Sequence, residues 1–182
     1  PARAGVVVLV YHRLTPPGGA ADQERMPLDR FITQMETLRA GGYRSLSLAE
    51  LESVLSGRQP LPPRAVAIHF DDGWSSVEPA LPILRRLGLK ASFLIISGAA
   101  DGRFGPDYLD WSAIRRIGQQ PLFDIGSHTV THPWSPTSNL LIWSRAGDGH
   151  PGRAAVHQEL LDSRLQLERQ LGRPVTTLAW PC

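Results

Sequence analysis

Apolar runs of strand length alternate with helix-periodic segments along almost the whole 182-residue chain. That alternation points to a parallel α/β fold. Strand-like runs lie at residues 5–11, 65–70, 91–96, 123–127 and 175–180, with a weaker one at 43–46. Between them, helical spacing predicts helices over 28–40, 77–87, 109–117 and 154–171. Ser47 and Glu50 have capping-box spacing and predict a further helix over Leu51–Leu55 that stops near Gly57. The first run, GVVVLVY, reads as a fully buried strand leading into a turn at 12–19, and VTTLAW (175–180) as a final strand. Pattern alone leaves both an open doubly wound sheet and an incomplete barrel.

The polar residues of interest follow the apolar strands: Tyr11-His12, His69 to Asp72, Ser127-His128 and Trp180-Pro181. In parallel α/β folds the carboxyl edge of the sheet is where sites are built. The most demanding of these stretches is AVAIHFDDGW (65–74), a buried-type strand that ends on two adjacent aspartates. Neighbouring carboxylates repel and gain nothing from apolar burial, so a positive centre is required nearby. SHTVTHP (127–133) offers His128 and His132, four positions apart, in a stretch where Pro133 and three β-branched residues disfavour a helix. Alone these are two loop histidines. Combined with an Asp pair at another strand end, two histidines and one carboxylate form a facial set for a divalent metal with open positions. The second aspartate is then free to accept a proton from water.

Composition narrows the alternatives. A hydrophobic fraction of 42%, a charged fraction of 20% and a net charge of +2 describe an ordinary globular chain. No run of arginines is dense enough to suggest a nucleic-acid footprint, and the aromatics are not interleaved with them. Cys182 is the single cysteine, which excludes an internal disulfide framework. VVVLVY is too short to span a membrane, and no signal peptide is visible. Oligomeric state leaves no signal.

FDDG at 70–73 followed by SHTVTHP at 127–133 resembles the polysaccharide deacetylase family, the NodB-homology or family 4 carbohydrate esterases. YHRL (11–14), RFITQMETLRAGGYRSLSLAEL (30–51), LDWSAI (109–114), ERQLGRPV (168–175) and LAWP (178–181) are similar to its subgroup acting on poly-N-acetylglucosamine in biofilms. The resemblance implies an α/β fold, a distorted, incomplete (β/α) barrel of the NodB type. It also implies hydrolysis of N-acetyl groups from an amino-sugar polymer with a divalent metal, zinc first and cobalt or nickel as alternatives. By motif position Asp71 is the catalytic base, and Asp72, His128 and His132 are the metal ligands. The family's oxyanion N–H aligns near Trp180, Pro181 and Cys182.

Departures from the pattern accompany the match. His69 stands where the family has threonine, and reads as a hydrogen-bonded strand-end histidine, an extra ligand or an acid. The resemblance implies a later histidine motif that protonates the leaving amine, and none follows His157. The expectation is therefore one domain, 1–182, truncated at its C-terminus. His12, after the first strand, is an auxiliary candidate, as a cleft residue or as an acid. Trp74 and Trp134 flank the proposed site and are candidates for stacking on sugar. Trp111 reads as core, and Trp143 lies in a possible loop insertion, 139–154. The resemblance implies a polysaccharide partner and a periplasmic, extracellular or other cell-envelope setting. The alternatives are a weak or inactive carbohydrate-binding relative, or a deacetylase of peptidoglycan, chitin oligomers or small N-acyl molecules.

Overall fold

A computed structural model of the chain describes residues 5–145, 149 and 151–181. Strands β1 (Val7–Tyr11), β5 (Ala65–Phe70), β6 (Ala91–Ile95) and β7 (Phe123–Ser127) lie side by side in that order, and β4 (Arg44–Ser45) also pairs with β5. Every pairing is parallel. The strands are linked through helices α1 (Leu28–Ala40), α2 (Leu48–Leu55), α3 (Ala80–Leu87) and α5 (Trp111–Gly118), with a short turn of helix, α4 (Ser97–Ala100), after β6. Beyond β7 come α6 (Leu140–Ser144) and the long α7 (Pro151–Leu171). The capping box forms as its spacing predicts. Ser47 Oγ accepts the Glu50 N–H at 3.2 Å, and the Ser47 N–H donates to Glu50 at 2.8 Å.

Alternation within the strands divides the two sheet faces. Tyr11, Val66, Ile68, Phe70, Phe93, Ile95, Phe123 and Ile125 meet Phe31 and Met35 of α1, Leu84 of α3, Ile114 and Ile117 of α5 and Leu167 of α7 in one core. An aromatic row crosses that core, with Phe70 stacked on Phe93 at 5.0 Å and Phe93 edge-on to Phe123 at 5.6 Å. The other face is met by the start of α2, where the Leu48 N–H donates to Asp124 at 2.8 Å. Gly126 on this face has no room for a side chain, since a Cβ there would lie 2.6 Å from Leu94 Cδ2 and 3.3 Å from Thr177 O.

Three expectations change. β1 forms, but it is not buried: Val8 and Val10 are 45% and 49% exposed, because helices cover only the face that carries Leu9 and Tyr11, and Val7 at the strand's start on that covered face is 53% exposed. Residues 12–19 are more than a turn, since β2 (Arg13–Thr15) pairs in parallel with β3 (Arg25–Pro27). The strand expected at 175–180 reduces to one parallel bridge, Ser127–Leu178, flanked by hydrogen bonds from Ser127 N–H to Thr177 O and Ala179 N–H to Ser127 O. The Val175 N–H is diverted to the Glu168 carboxylate at 3.0 Å, and Pro174 and Pro181 have no N–H to add to a ladder.

Phe93 lies at the centre of the aromatic row. Phe93→Ala is expected to lower stability by about 3–5 kcal/mol, read as a lower urea midpoint with an unchanged slope; a loss no larger than that of a surface substitution contradicts this core assignment.

Candidate metal centre

The parallel register carries the ends of β1, β5, β6 and β7 to one edge, and hydrogen bonds continue the pairing into the loops. Asp71 N–H donates to Tyr11 O at 2.9 Å and His128 N–H to Ile95 O at 2.8 Å. The chain then turns sharply. Asp72 and Gly73 have φ of 71° and 83°, and Thr129 and His132 have 70° and 53°. Three of the four non-glycine residues with positive φ among the described residues are thus at this edge, the fourth being Arg64. Such conformations each cost on the order of 1–3 kcal/mol and persist only when their surroundings hold them. Local hydroxyls contribute: Thr129 N–H donates to Ser127 Oγ and His132 N–H to Thr129 Oγ1, both at 3.1 Å.

These turns bring Asp72, His128 and His132 together, one ligand atom of each lying within 4.8 Å of the others. His128 Nε2 is 3.4 Å and His132 Nε2 3.8 Å from Asp72 Oδ1. Tetrahedral ligands at about 2.0–2.2 Å from one zinc ion lie roughly 3.3–3.6 Å apart. The Asp72–His128 separation falls in that span, and the Asp72–His132 separation is slightly wider. The remaining atoms are oriented as ligands require. His128 Nδ1 donates to Ala179 O at 3.0 Å, which leaves Nε2 for the centre, and Asp72 Oδ2 accepts the Trp74 indole N–H at 2.9 Å.

The electrostatics agree. Burial disfavours charge on His128, but the Asp72 hydrogen bond, the Ala179 carbonyl and the charges of Asp71 and Asp72 outweigh it and raise its pKa. Burial and the adjacent His128 charge lower that of His132. Burial pushes Asp72 up, yet hydrogen bonds from His128 and Trp74 and the charges of both histidines bring it below the ordinary carboxylate range. The cluster therefore favours one positive charge between a carboxylate and two imidazoles, a place that a divalent cation can fill in exchange for a proton.

Asp71 differs from its neighbour. Its buried Oδ1 has no hydrogen-bond partner among the described residues. Burial raises its pKa, His128 and His12 oppose the rise, and Asp72 adds to it. His12 Nδ1 is likewise buried without a partner. His69 lies outside the cluster: strand alternation sends it to the face opposite Phe70, beside Leu94 and Leu178, where its Nε2 has no partner among the described residues.

The tryptophans separate by environment. Trp74 has the Arg13 guanidinium 3.5 Å from its ring centroid and the Tyr108 ring stacked at 4.0 Å, so both faces are covered and its link to the site is the bond to Asp72. Trp134 is 51% exposed, and Trp180 is also exposed. Trp111 packs against the core and donates its indole N–H to Asp101. Trp143 belongs to α6, so residues 140–144 of the expected insertion are helical. Pro181 is buried and has no N–H, while Cys182 lies outside the described residues. Two contributors were absent from the sequence reading: Glu159, whose carboxylate accepts from the His128–His132 loop, and Ser163, whose hydroxyl lies 2.8 Å from Ser127 Oγ. Their only sequence signal is a four-residue spacing on one face of α7.

A parallel α/β sheet with an Asp-His-His cluster and a second, buried aspartate at its carboxyl edge has the make-up of a metal-assisted hydrolase. The family profile described as polysaccharide deacetylase matches residues 58–182, and the chain belongs to that family. The poly-β-1,6-N-acetyl-D-glucosamine N-deacetylase of Escherichia coli K12 is 29% identical over 140 residues, a match covering 69% of this chain and 20% of that protein's length. The chain thus corresponds to about a fifth of that relative. The structure of IcaB from Ammonifex degensii superposes with a TM-score of 0.81 at 28% identity, covering 97% of this chain and 74% of that one. A de-N-acetylase from Aggregatibacter actinomycetemcomitans shares the fold, with a TM-score of 0.80 at 21% identity over 97% of this chain and 79% of that one. The expected incomplete barrel of the NodB type is therefore the observed fold.

The raised Asp71 pKa has a measurable consequence for the metal-free fold. Its ionisation destabilises the folded state once pH exceeds the ordinary value of 3.8, fully so above the raised folded value. Asp71→Asn removes this penalty. Urea midpoints of both proteins, compared at about pH 4 and about pH 7, are expected to show an advantage for the variant that grows with pH; an advantage that shrinks contradicts the assignment.

Proposed function

We propose that this chain hydrolyses N-acetyl groups from a polymeric N-acetylhexosamine such as poly-N-acetylglucosamine. Asp72, His128 and His132 hold a divalent metal in this reading, and Asp71 is the catalytic base. The observation that carries it is the buried, unpartnered carboxylate of Asp71 next to a three-donor cluster of metal-ligand spacing. When bound, the ion, zinc first and cobalt or nickel as alternatives, supplies Lewis-acid charge at the scissile acetamide.

The chain's own residues supply the proton transfers. Asp71 takes a proton from the attacking water, and its partial desolvation makes it a stronger base than an exposed aspartate. Collapse of the tetrahedral centre breaks the C–N bond and leaves acetate, while the departing nitrogen needs a proton. In this reading His12 gives one, supported by its position directly after β1, its electrostatic coupling to both Asp71 and His132, and an Nδ1 with no partner among the described residues. Trp134, exposed two residues after His132, offers an aromatic face to a sugar ring. Trp180 is available for the same purpose, whereas Trp74 is taken up in positioning Asp72. The similarity to a poly-β-1,6-N-acetyl-D-glucosamine N-deacetylase supports the substrate class, and a polymeric surface glycan as substrate fits a cell-envelope or extracellular setting. No helix among the described residues is long and apolar enough to cross a membrane.

The test is acetate release by the zinc-loaded chain from β-1,6-linked N-acetylglucosamine oligomers, chitin oligomers and peptidoglycan. The first substrate is expected to be preferred. Asp71→Asn is expected to reduce turnover by roughly 10²–10⁴-fold, and His12→Gln to reduce it with little change in zinc affinity. Undiminished release by the Asp71 variant refutes the base assignment, and preference for another glycan refutes the substrate.

A further inference from the structure

We infer that Glu159 is a positioning residue that sets the metal-binding geometry of the His128–His132 loop from helix α7, an inference that rests on the metal-centre reading above. One carboxylate collects three donors from adjacent loop residues. Glu159 Oε2 accepts the Val130 N–H at 2.8 Å and the Thr131 N–H at 2.9 Å, and Oε1 accepts the Thr131 hydroxyl at 2.6 Å. Those residues lie between Thr129 and His132, the two positions forced into left-handed backbone. On its other side the loop is held, among the described residues, by backbone, with Ser97 N–H donating to Thr129 O at 3.0 Å and Gly98 N–H to Val130 O at 2.9 Å. Glu159 is therefore the side chain from outside the loop that fixes its two central N–H groups, and the direction of His132 follows from them.

The helix register explains why α7 can do this. Glu159, Ser163 and Leu167 are spaced by four and share one face. Leu167 is fully buried in the core, Ser163 bonds Ser127 at the end of β7, and Glu159 reaches the loop beyond it. The stripe passes from an apolar anchor to a polar clamp as it approaches the site. An ionised carboxylate also satisfies two N–H groups that helix or sheet would otherwise pair, and charge-assisted bonds of this kind are about twice as strong as neutral ones.

The test compares wild type, Glu159→Ala, Glu159→Gln and Thr131→Val for zinc dissociation constants by chelator competition, and for amide hydrogen exchange in the metal-free state. Glu159→Ala is expected to weaken zinc binding roughly 10–100-fold and to speed exchange at Val130 and Thr131. Glu159→Gln, which keeps an acceptor for both N–H groups, is expected to restore most of the affinity. A purely structural role would lower the unfolding midpoint while leaving the dissociation constant and its rescue by Gln unmoved. A folded Glu159→Ala protein with wild-type zinc affinity overturns the inference. Should that variant not fold, Thr131→Val decides, because it removes only the hydroxyl donor: weakened zinc binding supports the clamp and wild-type affinity overturns it. Failure of the wild-type chain to bind zinc refutes the metal-centre reading instead, and unchanged exchange at Val130 and Thr131 then refutes the clamp separately.

Discussion

The two halves of the site meet across a narrow seam between β5 and β6. Only His69–Ser92 and Phe70–Phe93 pair there, because β4 occupies the same side of β5 at Ala65 and Val66. The aspartates follow β5, and the histidines follow β7, which is joined to β6 by five residue pairs. Whatever holds the seam therefore sets the distance between carboxylates and imidazoles. Three contacts do so. Phe70 stacks on Phe93 within the core, the Lys90 N–H donates to Ser45 Oγ at 2.7 Å, and the Ile96 N–H reaches Asp72 O at 3.4 Å. The first belongs to core burial and the last already belongs to the site, so packing and chemistry share one structural joint.

Across that joint, two chemically identical side chains become different groups. Asp71 and Asp72 are adjacent in sequence and burial acts most strongly on both, yet it prevails only at Asp71, while at Asp72 the hydrogen bonds and histidine charges together outweigh it. The left-handed turn at Asp72 separates them, swinging its carboxylate toward the imidazoles and the Trp74 N–H while Asp71 stays in line with the strand. The repulsion that makes an Asp pair costly at a strand end is thereby converted into a difference in basicity. In the proposed reading one carboxylate holds positive charge, and the other keeps its lone pairs for a proton.

Much of this was legible in the residues. Strand-length apolar runs located β5, β6 and β7, the capping box located α2, and the aspartate and histidine motifs lie where strands end. What periodicity could not show is pairing. GVVVLVY has the composition of a buried strand, but Val8 and Val10 are exposed because no element among those described covers their face. VTTLAW has strand composition too, but its first N–H is captured by Glu168. Trp74 looks in sequence like a platform for sugar, and only the structure shows Arg13 and Tyr108 against its faces. Glu159 is separated from Thr131 by 28 residues and resembles any other glutamate on a helix. Partners chosen across the fold leave no local mark in the sequence.

Local preference fails most clearly where function is proposed. Asp72, Thr129 and His132 all adopt backbone that their side chains disfavour, Thr129 most of all because it is β-branched. An unconstrained loop would relax from these conformations, and the ligand atoms would lose their mutual approach. The strain persists because each strained residue is tied to a rigid element: Asp72 to Ile96 after β6, Thr129 to Ser127 of β7 and Ser97 of α4, and the segment leading to His132 to α7. The fold itself thus opposes disorder that these loops would otherwise carry into the metal binding proposed for them, which is the physical sense in which the site is preorganised.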